Sequence, residues 1–253
     1  GQQIVVDCGL GVTRGLIDQQ VDLRHLKTIM ITHLHSDHYL ELGPLVHTAW
    51  TAGLKTPLTI WGPPGLQDYW DAFCQSMAAD IELREVDEGR PPFAGLITIH
   101  EIAVGTFYDV DGVSVSAMRT IHPPLVDCFA LSFRTASRHV VFSGDTAYLP
   151  PLVDFARGAD LLIHEAMLKP ALEALVARVG STDGRLMNHL VSSHTLADKA
   201  AEIAEKAGAA ALALNHLIPA DDPDYSAADW QAAVAPHFNG TIHIGTDGLR
   251  IML

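Results

Sequence analysis

Short apolar, β-branched runs alternate along this chain with longer segments in which apolar residues return every three or four positions. The runs at 3–7, 28–32, 58–61, 112–119, 139–143, 160–164, 210–214 and 241–244 read as strands. Helical spacing appears at 43–53, 65–79, 170–179 and 195–207. The last of these predicts a start on Thr195, with Asp198 placed as in a capping box, and a stop at Gly208. Thr246-Asp247-Gly248 predicts a tight turn, with Leu249 to Leu253 returning as the second strand of a C-terminal hairpin. Turn-forming Pro and Gly residues are scattered, and no long linker, repeat or low-complexity stretch interrupts the pattern. One domain over residues 1–253 is therefore expected.

Composition narrows this picture. The 253 residues are 48% hydrophobic, yet none of the runs reaches the ~18 apolar residues of a membrane span. A globular protein with no membrane partner is expected. Gly1 opens directly onto a strand without a signal-peptide pattern, which leaves room for earlier strands or a targeting segment in the natural protein. Cys8, Cys74 and Cys128 lack CxxC spacing and read as packed free thiols, so the expected compartment is the reducing cytoplasm. The formal net charge is −14, and the 16 Lys and Arg residues form no basic run. Such a surface repels polyanions, so nucleic acid is expected to be a poor partner, while a small anion is allowed.

The densest chemistry lies at His33-Leu34-His35-Ser36-Asp37-His38, directly after the strand-like run Thr28 to Thr32. A loop at the C-terminal end of a strand is where open α/β sheets place their sites. His33 and His35 can face one metal while Asp37 and His38 turn toward a second. Neutral imidazole and carboxylate are ligands that zinc accepts. With 14 histidines in the chain, chance clustering on a polar loop is the competing reading. Three further residues end strand-like runs: His122 before Pro123-Pro124, Asp145 after Ser143-Gly144, and His216 after Ala209 to Leu214. Taken alone, such positions also suit turn formers and caps. His164-Glu165 is not a zincin helix, because Leu168 stands where a second histidine is needed.

His33 to His38 matches the HxHxDH signature of the metallo-β-lactamase-fold superfamily. Ile4 to Gly11, Leu58 to Gly65 and Ser143-Gly144-Asp145-Thr146 resemble its strand-and-turn and SGDT motifs. His164-Glu165-Ala166, His194-Thr195 and Asn215-His216 are similar to the remaining motifs of its ribonuclease Z-like and arylsulfatase-like branch. The resemblance runs through nearly the whole chain. It implies an α/β (α+β) fold, the four-layer αββα sandwich. It also implies one metal held by His33, His35 and His122, another by Asp37, His38 and His216, and Asp145 bridging them. Two Zn2+ ions per chain are expected from an imidazole-rich set without thiolate, with Mn2+ or Fe as alternatives. Iron-binding oxidoreductases of the superfamily usually place Glu where His35 stands. Metals about 3.5–4 Å apart can hold a bridging hydroxide as nucleophile. In the branch, residues at the positions of Glu165 and His194 form a carboxylate–imidazole pair acting as general acid, so Asp37, Glu165 and His194 are the expected catalytic residues. The plainer reading leaves His194 starting a helix and Glu165 in a buried ion pair. His189 is a rival donor, and His47 reads as a packing residue. His25, His100, His139, His237 and His243 are read as structural or surface residues.

For the substrate, the resemblance points to hydrolysis of an ester: a phosphodiester, a sulfate ester, or a carboxylic ester or lactone in a small molecule. Ribonuclease Z-type tRNA 3′ processing and β-lactam hydrolysis are the alternatives. The branch's tRNA enzymes commonly carry a long arm between the motifs matched by His122 and Asp145, and only residues 123–144 lie there. After His216 the chain runs Leu217-Ile218-Pro219 without the serine and arginine expected in those enzymes. A di-iron redox centre or a metal-binding module is the non-hydrolytic alternative, and a homodimer stays open. Trp50, Trp61, Tyr69, Trp70, Phe107 and Tyr108 can wall a pocket, although core packing is the ordinary fate of such residues. Asp221-Asp222-Pro223-Asp224 reads as a solvated loop.

Overall fold

The chain divides into two compact units, Gly1–Ile102 and Ala103–Leu253, each built on its own sheet. The computed structural model describes residues 2–180, 183–220 and 222–253.

The first unit is a parallel sheet in the order β1-β2-β3-β4, formed by Ile4–Val6, Thr28–Met30, Leu58–Gly62 and Ile97–Glu101. Parallel neighbours cannot be joined by tight turns, so helices carry the chain between them. These are α1 (Val12–Asp18), α2 (Ser36–Tyr39), α3 (Leu42–Ala52), α4 (Leu66–Ser76) and α5 (Ala78–Asp87). Every residue of β2 is buried, as a strand covered on both faces requires. Trp50 and Trp70 sit in this unit's core with Ile29, Leu45 and Ile60, so these two indoles are packing residues. The helix expected over 65–79 is two helices broken at Met77 (φ −99°, ψ 3°). The apolar stripe gives out there: α4 buries Leu66 and Trp70, whereas α5 has no fully buried residue.

The second unit is a seven-stranded mixed sheet. β5 (Gly105–Val110), β6 (Val113–Arg119), β7 (Phe129–Arg134) and β8 (His139–Phe142) pair antiparallel. β9 (Leu161–Met167), β10 (Ala211–Ile218) and β11 (Thr241–Ile244) continue the sheet in parallel from β8. The parallel half is again helix-connected, by α6 (Leu152–Phe155), α7 (Lys169–Arg178), α8 (Arg185–Ser193), α9 (Ala197–Ala207) and α10 (Ala227–Val234). α9 buries Ala197, Ala200, Ala201, Ala204 and Ala207, and these small side chains let it lie close on the sheet.

Three expectations fail locally. Thr195 does not cap α9, whose N-cap is Leu196; the Thr195 hydroxyl donates instead to the Thr146 carbonyl at 2.6 Å. The Thr246 turn forms, with Leu249 N donating to Thr246 O, but 249–253 is not a strand. Its one well-placed apolar residue, Ile251, packs beside Leu161 and Ala213 rather than seeking an edge partner. Asp222 is buried and ion-paired to Arg178 at 2.8 Å, not solvated, while Asp221 lies outside the described residues. Cys8, Cys74 and Cys128 are free thiols. No helix among the described residues is long and apolar enough to cross a membrane.

Candidate functional site

In the first unit the hexapeptide leaves the C-terminal end of β2 and turns into α2. Its neighbour in the sheet, β1, is followed by Asp7, and that carboxylate organises the loop. Asp7 Oδ1 accepts from Thr32 N at 2.7 Å, and Oδ2 accepts from Thr32 Oγ1 at 2.9 Å and from His38 Nδ1 at 2.8 Å. The Thr32 hydroxyl in turn accepts from His33 Nδ1 at 3.0 Å. Both imidazoles thus spend the Nδ1 proton on this chain and present Nε2 as the lone-pair nitrogen, the orienting arrangement of metal-ligating histidines. The rings of His33 and His38 lie 3.9 Å apart between centroids, and His35 stands edge-on to His33 at 5.0 Å. Asp37 is exposed, with Oδ2 at 3.6 Å from His38 Nε2. Gly9 makes this packing feasible: a Cβ there would lie 2.0 Å from the Asp37 carbonyl oxygen.

The second unit gathers its candidates from five separate places, one of them His194 just beyond α8. His122 lies beyond β6, Asp145 just beyond β8, Glu165 within β9 and His216 within β10. His122, Asp145 and His194 bring one ligand atom each to within 4.8 Å of one another, as do Glu165, His194 and His216. His122 Nδ1 donates to the Ser193 carbonyl at 2.8 Å, leaving Nε2 at 3.9 Å from Asp145 Oδ2. His216 is the extra residue of a β-bulge between Asn215 and Leu217, and its φ of +44° is unusual for a side chain of this size. The bulge places Nε2 at 3.4 Å from Asp145 Oδ2.

Glu165 is buried, and Oε1 accepts from His194 Nδ1 at 3.2 Å, Thr195 N at 3.0 Å and Thr146 N at 3.2 Å. Burial, and then the Asp145 carboxylate, raise its pKa well above the usual carboxylate range; His216 and the two backbone N–H groups oppose that shift. His194 stacks on His216 with centroids 5.7 Å apart and planes 14° from parallel. Burial likewise lowers His122, and pushes His164 down to about 4. His189 stays close, with Nδ1 at 3.3 Å from Ser193 Oγ and its ring 5.9 Å from that of His194. His47 packs against Trp50 and Phe93 and contacts Asp80 at 3.0 Å, as a packing histidine does.

The donor chemistry fits divalent metal ions. Imidazole nitrogens oriented through their other nitrogen, together with a buried carboxylate, are what zinc-type sites require. The sequence pattern did not single out Asp7, Thr32 or Ser193 as supports. Asp7 follows an apolar run beside a glycine, a signal close to the one that marks Asp145, and could have been found by it.

Comparison with known proteins completes the picture. The family described as Anti-Pycsar protein Apyc1 matches residues 1–217. Ribonuclease Z of Mycobacterium sp. (strain KMS) is 32% identical over 256 residues, covering 99% of this chain and 86% of the relative. Among solved structures, the metallo-β-lactamase-fold protein YhfI from Bacillus subtilis matches with a TM-score of 0.69 and 24% identity, over 98% of this chain and 86% of that one. The short form of human tRNase Z matches with a TM-score of 0.63 and 24% identity, over 85% and 82%. The fold class is therefore the expected one. The expectation that nucleic acid is a poor partner does not stand, since a relative matched along 99% of the chain is a ribonuclease. The net charge misled because it sums over the whole surface, whereas phosphate recognition needs only a local positive field, which bound metal ions themselves provide.

Proposed function

This chain belongs to the Anti-Pycsar protein Apyc1 family and to the ribonuclease Z group of metallo-β-lactamase-fold, metal-dependent hydrolases, and on that premise we propose that it hydrolyses phosphodiester bonds in RNA. The observation that carries this reading is the ribonuclease Z identity along 99% of the chain. The convergence of His122, Asp145, Glu165, His194 and His216 agrees with it. By the order of motifs along the chain, His33, His35 and His122 would hold one zinc ion and Asp37, His38 and His216 another, with Asp145 as a further ligand. Bound metal would supply Lewis acidity and acidify water toward a pKa of about 7.

The chain's own part is to orient ligands and manage a proton. Asp7 and the Ser193 carbonyl fix ring tautomers through Nδ1. Glu165 does the same for His194, so that its Nε2 is the atom that delivers a proton. Water adds to phosphorus and releases one proton to solvent, the bond from phosphorus to the leaving oxygen breaks, and the proton of His194 goes to that oxygen. Such general acid catalysis contributes about 10²–10⁴-fold.

A second reading, a small phosphodiester, rests on the segment between His122 and Asp145, which holds β7, β8 and short connections but no protruding arm. The test is hydrolysis by zinc-loaded protein of a precursor tRNA bearing a 3′ trailer and of bis(p-nitrophenyl) phosphate, with Asp145→Ala as control. Cleavage of both, lost in the variant, is the expected result. Turnover of the nitrophenyl ester alone would transfer the assignment to the small substrate. No turnover of either, with metal confirmed bound, would end the phosphodiesterase reading.

A further inference from the structure

Beside His194, α7 and α8 do not close against the end of β9. They leave a cavity of about 390 Å³, inside the ~300–1,000 Å³ range of small-molecule sites. Met167, Leu172 and Leu196 line it, Met187 and Val191 of α8 add to the wall, and His194 is part of the lining. Lys169, Lys199 and Tyr148 also border it, with one carboxylate, Glu173. Met167 and Leu172 are buried, whereas Val191 is 60% exposed although apolar. The Tyr148 hydroxyl accepts from Lys206 Nζ at 3.5 Å.

This cavity is largely apolar, with Lys169 at its border and Lys199 there too but ion-paired to Glu202. Two thioethers and a tyrosine ring make it suited to an aromatic ring, since methionine sulfur packs favourably on ring edges. His194 links it to the chemistry: the same imidazole borders the cavity and belongs to the cluster with Asp145 and Glu165. The group attached to the oxygen that His194 protonates must lie on the His194 side of the reacting phosphorus. We propose that the α7–α8 cavity is the subsite for the nucleoside on the leaving-oxygen side of the scissile phosphodiester. Its base packs among Met167, Met187 and Leu196, and Lys169 meets the adjoining phosphate backbone. This assignment rests on the phosphodiesterase reading and adds to it where the substrate's base is held.

The test uses Val191→Trp and Met187→Trp, which fill the cavity from helix positions that are not fully buried. Val179→Trp, an exposed site outside the cavity, serves as control. With zinc-loaded protein, kcat/KM is measured for adenylyl-adenosine and for bis(p-nitrophenyl) phosphate, and adenosine binding is followed by calorimetry. The expected result is a fall of ten-fold or more in the ratio of the two kcat/KM values in both cavity variants, carried by KM, with adenosine binding weakened in parallel. The control keeps the wild-type ratio. An unchanged ratio overturns the subsite, as does adenosine binding that is absent from wild type or equal in all proteins. Wild type that binds adenosine in the cavity but turns over neither ester would instead overturn the phosphodiesterase reading and leave a nucleoside site standing.

Discussion

The two units solve the same problem in opposite ways. In the first, four candidate ligands lie on one hexapeptide, and a single side chain, Asp7, anchors two of the rings. In the second, candidates come from five separated places on strands and loops. Their anchors are mixed: a backbone carbonyl holds His122, and a buried carboxylate fixed by two backbone N–H groups holds His194. The first arrangement is written locally and can be undone by one substitution. The second is written into sheet topology, and part of it cannot be removed by mutation at all. Both units do share one device, a non-glycine residue at positive φ beside the ligands: Asp7 at +62° and His216 at +44°. Such backbone costs about 1–3 kcal/mol and persists where surroundings over-determine it.

The sharpest test of the second unit is His194→Ala. It should slow esters with poor leaving groups by about 10²–10⁴-fold while touching nitrophenyl esters far less, because an activated leaving group needs no proton. Equal losses on both, read from steady-state kinetics, would reduce His194 to a packing residue.

Next in size is Asp7→Asn, aimed at the anchor of the first unit. Loss of the charged acceptor for His38 and Thr32 should weaken metal binding by about 10–100-fold, read by competition with a chelator. Ser193→Ala is its counterpart in the second unit. It removes the hydroxyl but keeps the carbonyl that accepts from His122, so metal affinity should change less than in Asp7→Asn. A larger loss in Ser193→Ala would break the contrast between side-chain and backbone anchoring.

The smallest effect concerns stability away from the ligands. His139 is buried, and burial, then Arg134, lowers its pKa, while Asp160 opposes. The folded protein therefore binds this proton less readily than the unfolded chain does. Its contribution is favourable above the unfolded value of about 6.5 and is lost as pH falls from there through the lower folded value. His139→Gln should flatten the decline of the urea midpoint between neutral and mildly acidic pH relative to wild type. An identical decline in both proteins would remove His139 as a source of acid sensitivity.

Much of this was legible along the chain because the signals are local. The run Thr28 to Thr32 followed by three histidines and an aspartate needs no tertiary knowledge to read as a strand feeding a ligand loop. Asp145 beyond β8 was visible for the same reason, and so was His216, although the strand expected to stop at Leu214 runs on through it to Ile218. β7 escaped because four buried residues in succession remove the alternation that marks a strand, and β5 because it is an edge strand with a register shift between Thr106 and Tyr108.

The sequence by itself determined the hexapeptide and the candidate ligands near the ends of apolar runs, since side-chain type and spacing fix those, and its family resemblance implied the fold class. Only the tertiary structure decided that Asp7 would meet His38 across neighbouring strands, that a bulge would turn His216 toward Asp145, and that Thr195 would give its hydroxyl to Thr146 instead of capping α9. Each depends on which segments become neighbours when the sheets assemble. The cavity between α7 and α8 belongs to the same class. A void is a property of how faces fail to meet, and spacing along one chain carries no record of it.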